Sequence, residues 1–130
     1  MRLRLLVQLS TPVGPYSAGA RGGDWLVTSG QLGLRDGQLV PGLVPQVTQA
    51  VANLAAILAS QGVALTAVVK TTVFLVHMSD YAAMNQAYAE AFGGHRPARS
   101  AVAVSELPLG ALVEVEAWAY APLGGGEPPR

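Results

Sequence analysis

One arginine in the second half of the chain has the chemistry needed to hold a small organic acid. Arg99 lies in the segment from Arg96 to Ser100, where Pro97 fixes the backbone shortly before a predicted strand. A guanidinium offers a rigid fork of N–H donors that matches a carboxylate, so an anchored arginine is a natural receptor for an acidic substrate. The alternative is a surface arginine or a structural ion pair with a glutamate, since charged side chains are mostly exposed.

One glutamate has the complementary chemistry of an acid or base. Glu114 lies in an apolar strand between Val113 and Val115, where a carboxylate is costly to bury without a partner or a function. In a partly desolvated cleft its pKa would rise, which would make it a usable acid or base near neutral pH. Two alternatives stay open: a cross-strand ion pair with Lys70 or an arginine, and Glu116, on the same strand face, as the residue for either role.

Other chemically capable residues carry weaker signals. His77 and His95 fall in predicted loops without any cysteine or histidine at ligand spacing, so no metal site is predicted. Ser29 precedes Gly30, but the G-x-S-x-G pattern of a nucleophile elbow is absent. No dinucleotide-binding glycine pattern or phosphate loop is present, so no cofactor is expected. Tyr16, in a glycine-rich loop, is either a mobile lid or a packed aromatic residue.

The composition narrows the class of partner. Eight Lys and Arg balance eight Asp and Glu, and only 12% of the residues are charged, which argues against a nucleic-acid partner. The absence of cysteine removes disulfides and thiolate chemistry and favours a reducing compartment, so a cytoplasmic location is expected. No segment approaches the about 20 apolar residues that a membrane-spanning helix needs. The weakly polar surface favours self-association.

The elements that must position these residues follow from the hydrophobic periodicity. Apolar residues at helical spacing predict a first helix over Val44–Gln61 and a second from Ser79 or Asp80 to Phe92. Gly62 ends the first helix and Gly93 the second. Strands are predicted over Met1–Leu6, Trp25–Ser29, Ala67–Val76, Ala101–Ser105 and Leu112–Ala121, with a short strand and turn within Gln31–Val40 and a loop over Pro12–Gly23.

This order predicts an α+β fold in which one sheet carries both helices on one face. A single domain is expected over residues 1–122, with a flexible C-terminal tail over residues 123–130. In the last strand, Glu114, Glu116 and Trp118 share the second face of the sheet. A mixture of charge and large aromatics is more typical of an oligomer interface containing a site than of bare exposed sheet.

A series of short motifs runs from about Pro12 to Ala121. They are Gly14-Pro15-Tyr16-Ser17, Ser29-Gly30-Gln31, Asn53-Leu54, Val69–Phe74, Met84-Asn85 with Tyr88 and Phe92, Pro97–Ser100, Leu107-Pro108 and Val113–Ala117. Taken together and in this order, they resemble the reactive intermediate deaminase family, also called YjgF/YER057c/UK114, far more specifically than any one motif does.

The resemblance implies a chorismate-mutase-like α+β fold assembled as a homotrimer with clefts between subunits. It implies hydrolysis of 2-enamine and 2-imine acids, such as 2-aminoacrylate and 2-iminopropionate, to 2-keto acids and ammonia, without metal or cofactor. The alternatives are a non-catalytic trimeric metabolite-binding or regulatory protein, and a ribonuclease or translation inhibitor, which the neutral charge disfavours.

The resemblance also implies a role for each matching residue. Arg99 would anchor the carboxylate, and Glu114 would orient and activate water. The residues expected to line the site or contact substrate are Tyr16, Ser29, Gly30, Asn85 and Ala101. The chain departs from many relatives in having Ala101 instead of Cys and Arg96 instead of an aromatic residue, which bears on substrate range.

Overall fold

A mixed sheet forms the centre of the molecule, which is a computed structural model that describes residues 6–7 and 14–123. Within these residues the sheet has seven strands. They are β1 (Leu6–Val7), β2 (Gly19–Gly22), β3 (Trp25–Thr28), β4 (Gln31–Leu32), β7 (Val68–Leu75), β8 (Ala98–Ala103) and β9 (Val113–Tyr120). A separate hairpin consists of β5 (Leu34–Arg35) and β6 (Gln38–Leu39).

The strand order is β1-β2-β3-β9-β7-β8, and β4 pairs with β9 further along the same edge as β3. The pairings are antiparallel except for β7 with β8, which is parallel. The helix between these two strands provides the crossover that a parallel pair requires. The predicted strand Ala67–Val76 is seen as β7, and it lies inside the sheet, flanked by β9 and β8.

Two helices, α1 (Leu43–Ala59) and α2 (Tyr81–Phe92), cover one face of the sheet, so the predicted α+β arrangement is confirmed. The predicted apolar stripe of α1 is buried and packs on β9. On β9 the small apolar face, Val113, Val115, Ala117 and Ala119, is fully buried, while the glutamate and aromatic face is not. Strict alternation along this strand therefore separates the core from the face that carries Glu114.

Several local predictions were confirmed. Gly62 lies in the turn that closes α1 after Ala59, and its φ is +71°, a conformation that a residue with a Cβ adopts at a cost. Asp36 and Gly37, with φ of 53° and 77°, make the predicted turn between β5 and β6. The second helix was predicted to begin at Ser79 or Asp80, but α2 begins at Tyr81, and the side chain of Asp80 makes no capping hydrogen bond. A short 3₁₀ turn, Met78–Asp80, leads into the helix instead.

The predicted bounds of two strands were wrong because backbone pairing extends each strand into a segment predicted as loop. Gly19–Gly22, predicted as part of a loop, pairs with β3 across a tight turn at Gly23, so its glycines belong to a hairpin. Strand β8 begins at Ala98 rather than Ala101, because it pairs in parallel with β7 from Lys70 onward. Arg99 therefore lies within a strand and not before one.

The ends of the chain fall largely outside the described ranges. Of the predicted strand Met1–Leu6, only Leu6 is described, and it belongs to β1. The predicted tail is described only at Leu123, so the division into a domain and a flexible tail stays a prediction. Between residues 14 and 123, neither helix has both the length and the apolar character to cross a bilayer.

Candidate active site

A pocket of about 320 Å³ opens on the face of the sheet opposite the helices. We call it the glutamate pocket, and its lining residues are Tyr16, Ser29, Gly30, Leu32, Pro108 and Glu114. Its volume is at the lower end of the range for small-molecule sites, about 300–1,000 Å³. The structure thus brings together Glu114 and three of the residues predicted for the site, and it adds Leu32 and Pro108, which were not predicted.

Two neighbouring strands fix Glu114 in position. It pairs with Leu32 of β4 on one side and with Phe74 of β7 on the other. Its carboxylate lies directly against the backbone of Gly30, where an added Cβ would overlap Glu114 Oε2 and come within 2.6 Å of Cδ. A glycine is therefore required at position 30 for the carboxylate to occupy this place.

The surroundings of Glu114 favour its neutral form. Burial raises the pKa of the half-buried Glu114 carboxyl above its ordinary value, and the negative charge of Glu116 raises this pKa further. A raised pKa brings the titration of the carboxyl closer to neutral pH, where the group can both accept and donate a proton efficiently. Lys70 donates through its ammonium to Ser100 Oγ at 2.9 Å. The predicted alternative of a cross-strand ion pair between Glu114 and Lys70 or an arginine is not formed among the described residues.

The loop that carries Tyr16 is tied to the end of β3. The Ser29 backbone N–H donates to Ala18 O at 2.8 Å, and Ser29 Oγ donates to Ser17 O at 2.5 Å. The serine hydroxyl proton is thus already engaged, in agreement with the absence of a nucleophile-elbow motif. Tyr16 lies at the rim of the pocket with 46% of its surface exposed, so its phenol can meet a ligand.

Two polar residues of α1 support the strands behind the pocket. Asn53 Nδ2 donates to the backbone oxygens of Leu32 and Leu34 at 3.1 and 2.9 Å. The buried Gln46 accepts, through Oε1, the N–H of Leu112 at 2.8 Å. These bonds join α1 to β4 and to the start of β9. The available sequence signal was the presence of two amides beside an otherwise apolar helix stripe.

Arg99 lies in a second group, the arginine cluster, formed with Tyr81, Met84 and Tyr88 of α2. Its guanidinium carbon is 5.0 Å from the Tyr88 ring centroid and 5.6 Å from that of Tyr81. Nη2 donates to the Tyr81 hydroxyl at 3.2 Å, and Nη1 points at Met84 Sδ at 3.7 Å. These partners are all neutral, and nowhere in residues 14–123 does a carboxylate pair with Arg99. The guanidinium is therefore held in place with its charge uncompensated by this part of the chain.

The floor of this cluster is rigid. Tyr88 is almost fully buried, and its hydroxyl shares a 2.7 Å hydrogen bond with the fully buried Thr71. Its ring packs on Phe92 with centroids 4.6 Å apart. Burial raises the pKa of Tyr88, although the hydrogen bond with Thr71 and the charge of Arg99 oppose this rise. A neutral, fixed aromatic ring of this kind is a good support for a cation.

Within one chain the structure does not bring Arg99 and Glu114 together. Arg99 pairs with Thr71, which faces the helices, whereas Glu114 pairs with Phe74 and faces the opposite side. Asn85 and Ala101 belong to the Arg99 side of the sheet. Asn85 follows Met84 on α2, and its Oδ1 is buried without a hydrogen-bond partner in the described residues. Ala101 packs against the core on the same strand face as Arg99.

His95 and Arg96, which follow α2, make hydrogen bonds to the backbone. His95 hydrogen-bonds Val68 O through Nε2 at 2.7 Å, which gives it a structural role. Among the described side chains, no group of three or more His, Asp or Glu residues is arranged to hold a metal ion. Arg96 donates to the backbone oxygens of Gly93 and His95, beyond the end of α2.

Comparisons with known proteins agree with this fold. A family model described as Endoribonuclease L-PSP matches residues 8–121. A RutC family protein of Pyrococcus horikoshii is 45% identical over 112 residues, covering 84% of this chain and 89% of the relative. The 2-iminobutanoate/2-iminopropanoate deaminase of Mus musculus is 44% identical over 108 residues, covering 81% and 80%.

Solved structures are similar over almost their whole length. RidA from the Antarctic bacterium Psychrobacter sp. PAMC 21119 superposes with a TM-score of 0.86 at 35% identity, covering 89% of this chain and 98% of that one. E. coli TdcF with bound serine gives a TM-score of 0.85 at 29% identity, with the same coverage. The chain therefore belongs to the reactive intermediate deaminase family, YjgF/YER057c/UK114.

Proposed function

We propose that the protein hydrolyses 2-imine acids and their 2-enamine tautomers to 2-keto acids and ammonia. The observation that carries this proposal is the carboxyl of Glu114, which has a raised pKa and is held against Gly30 in a pocket of metabolite size. Relatives that bear the name 2-iminobutanoate/2-iminopropanoate deaminase, at up to 44% identity, support the same reaction class.

The reaction needs few catalytic groups. An imine carbon is already electrophilic, so addition of water requires a positioned base and a held substrate. In the proposed mechanism, water oxygen bonds to the imine carbon while Glu114 accepts a proton from that water. The same proton then passes to nitrogen, which gives the carbinolamine. Glu114 next accepts the proton of the carbinolamine hydroxyl and returns it to nitrogen, so the C=O bond forms as the C–N bond breaks, and ammonia and the keto acid are released. For an enamine, protonation of the carbon next to the reacting centre first gives the imine.

Arg99 is proposed to hold the substrate carboxylate. Its guanidinium has neutral partners and keeps donors for an anion. Asn85 is proposed to line the site on the Arg99 side, as the family resemblance implies; its Oδ1 is buried without a hydrogen-bond partner in the described chain. Tyr16, Ser29, Gly30 and the backbone at Ala101 are proposed to complete the walls.

A second copy of the chain has to supply half of this site. The carboxylate and the imine carbon are adjacent in the substrate, whereas Arg99 and Glu114 lie on opposite faces of one sheet. We therefore propose the homotrimer implied by the family, with a glutamate pocket from one protomer facing the arginine cluster of the next. Trp25 and Trp118, which are 38% and 46% exposed on the open face, support burial of that face by another copy.

The activity can be tested with imine generated in the assay. A pyridoxal-phosphate-dependent serine dehydratase releases 2-aminoacrylate, and the protein should accelerate its conversion to pyruvate and ammonia. Arg99→Ala and Glu114→Gln should remove the acceleration. Arg35→Ala, on the exposed hairpin strand β5, is the control for loss of an arginine, and Glu116→Gln controls for loss of a carboxylate on the same strand face.

The outcomes separate the candidate functions. Arg99→Ala activity equal to that of the wild type would exclude the assignment of the anchor. Binding of 2-oxobutanoate without any acceleration of imine loss would favour a metabolite-binding or regulatory protein. The family description names an endoribonuclease, but the chain has no net charge to favour a phosphate backbone. Cleavage of RNA that is lost in Glu114→Gln would favour that alternative.

A further inference from the structure

We infer that Tyr81 is part of the substrate-binding site and donates its hydroxyl proton to the same carboxylate that Arg99 holds. This inference rests on the proposed function, because it assumes that an acid binds at Arg99. Tyr81 is the first residue of α2, and 41% of its surface is exposed. Its hydroxyl lies 3.2 Å from Arg99 Nη2, at the solvent side of the arginine cluster.

The direction of this hydrogen bond leaves a donor free. A guanidinium has only donors, so Tyr81 must accept the bond through its oxygen. The phenolic proton is then directed elsewhere, next to a positive charge and at an exposed surface. An O–H in this position is oriented for an anion that approaches the guanidinium.

The spacing suits a shared oxygen atom. Charge-assisted hydrogen bonds to a carboxylate are about 2.8 Å long. One carboxylate oxygen at that distance from both Arg99 Nη2 and Tyr81 Oη would complete a triangle whose third side is the 3.2 Å between those two atoms. The second oxygen of the carboxylate would remain for another donor of the guanidinium, which gives three hydrogen bonds to one anion.

The two tyrosines beside Arg99 have different environments. The hydroxyl of Tyr88 is buried and bonded to Thr71, so it cannot meet a ligand and serves to fix the ring under the guanidinium. Tyr81 covers the guanidinium from the exposed side, with its ring centroid 5.6 Å from Cζ. Tyr88 is therefore a positioning residue for Arg99, whereas Tyr81 contacts the ligand.

Removing the Tyr81 hydroxyl should weaken the binding of acids but not the binding of uncharged analogues. Tyr81→Phe keeps the ring over the guanidinium and removes one hydrogen bond to a charged group, which should raise the Kd for 2-oxobutanoate about tenfold or more. The Kd for 2-oxobutanamide, which carries no negative charge, should stay unchanged. In the imine assay KM should rise while kcat is preserved, because the carboxylate is held equally in ground and transition states.

The experiment compares Tyr81→Phe, Tyr88→Phe and Arg99→Ala with the wild type, using both ligands in NMR titrations. A selective loss of 2-oxobutanoate binding in Tyr81→Phe that is larger than in Tyr88→Phe supports the inference. Unchanged acid binding, equal losses for acid and amide, or an equal loss in Tyr88→Phe overturns it. If Arg99→Ala also binds 2-oxobutanoate normally, the proposed function fails; if only Arg99→Ala loses binding, the role of Tyr81 alone is wrong.

Discussion

Mixing two inactive variants should restore activity, if each site takes Arg99 from one protomer and Glu114 from another. The variants are Arg99→Ala and Glu114→Gln, each of which removes one group and leaves the other side of the sheet unchanged. In a mixed oligomer, the intact Glu114 of the first variant meets the intact Arg99 of the second. The restored site contains neither substitution.

The register of the sheet gives the distance that excludes a site within one chain. Arg99 pairs with Thr71 and Glu114 with Phe74, so the two lie 74 − 71 = 3 residues apart along β7 and on the strands that flank it. With about 3.3 Å per residue and about 4.8 Å between strands, their Cα atoms are about 14 Å apart. Their side chains also point to opposite faces, so no small imine acid can contact both.

The expected recovery follows from counting interfaces. With equal expression and random assembly, a site receives Glu114 from one variant and Arg99 from the other in about a quarter of cases, whatever the number of subunits in a closed ring. Each variant alone should have at least about 100-fold lower activity than the wild type, because it lacks either the general base or the carboxylate anchor. The unfractionated co-expressed mixture should therefore show about a quarter of wild-type activity, and trimers purified to contain both variants about a third, far above either parent.

The assay requires co-expression, since assembled subunits exchange slowly when their interfaces are large. The two variants carry different affinity tags, sequential purification isolates mixed oligomers, and imine loss is followed in the dehydratase assay. Mixed oligomers that are no more active than the parents would refute a site shared between chains. A double variant carrying both substitutions, co-expressed with the wild type, controls for simple dilution.

Four further predictions concern the glutamate pocket and Leu109, in the turn next to its lining residue Pro108. If Glu114 acts as a base, activity should fall as pH decreases through its raised pKa, and Glu116→Gln should move this fall to lower pH, as a pH–rate profile would record; an unmoved profile would contradict the coupling. The raised pKa means that folding disfavours the ionised carboxylate. Glu114→Gln should therefore increase the free energy of unfolding at pH values above that pKa, although the variant loses activity. Gly30→Ala should abolish activity but leave the fold, measured by circular dichroism, since the added Cβ displaces the Glu114 carboxylate; full activity would mean that Glu114 is not needed where it lies. Leu109, exposed with φ +61°, should be replaceable by glycine with a gain of up to about 1 kcal/mol in urea unfolding, whereas Leu109→Ala should give no such gain.

Periodicity was sufficient to predict the helices and the two faces of β9. The stripe of α1 and the alternation from Val113 to Ala119 are patterns of apolar residues at buried positions, so they can be seen in a single sequence. The strand at Gly19–Gly22 was missed because its pairing is satisfied by backbone atoms, and glycine composition is more typical of loops. Local patterns predict which side of an element is buried better than they predict which backbone is paired.

For the candidate site as well, some residues could be predicted from local patterns, but the strand pairing that places them could not. Glu114 was predicted because a carboxylate among apolar strand residues is unusual. That Arg99 faces the helices could not be predicted, because it depends on the parallel register of β8 on β7 after the α2 crossover. Tyr81 was missed for a related reason: its position three and four residues before Met84 and Asn85 marks a shared helix face, but not the strand that meets that face.

Separating the two charged groups by the thickness of a sheet has a consequence for the chemistry. A guanidinium close to Glu114 in one permanent pocket would favour the carboxylate and lower its pKa, against the effect of burial. In the proposed cleft Arg99 approaches Glu114 only across an interface, where the substrate carboxylate lies between them and compensates the positive charge. Binding of the correct anion would then keep the pKa of Glu114 high at the moment when water is activated. An amide substrate would leave the guanidinium uncompensated, so selection for acids would occur in the proton transfer as well as in binding. The imine of an amino-acid amide should accordingly react with a pH–rate profile displaced to lower pH than that of the acid, and identical profiles would show that Arg99 and Glu114 do not interact through the substrate.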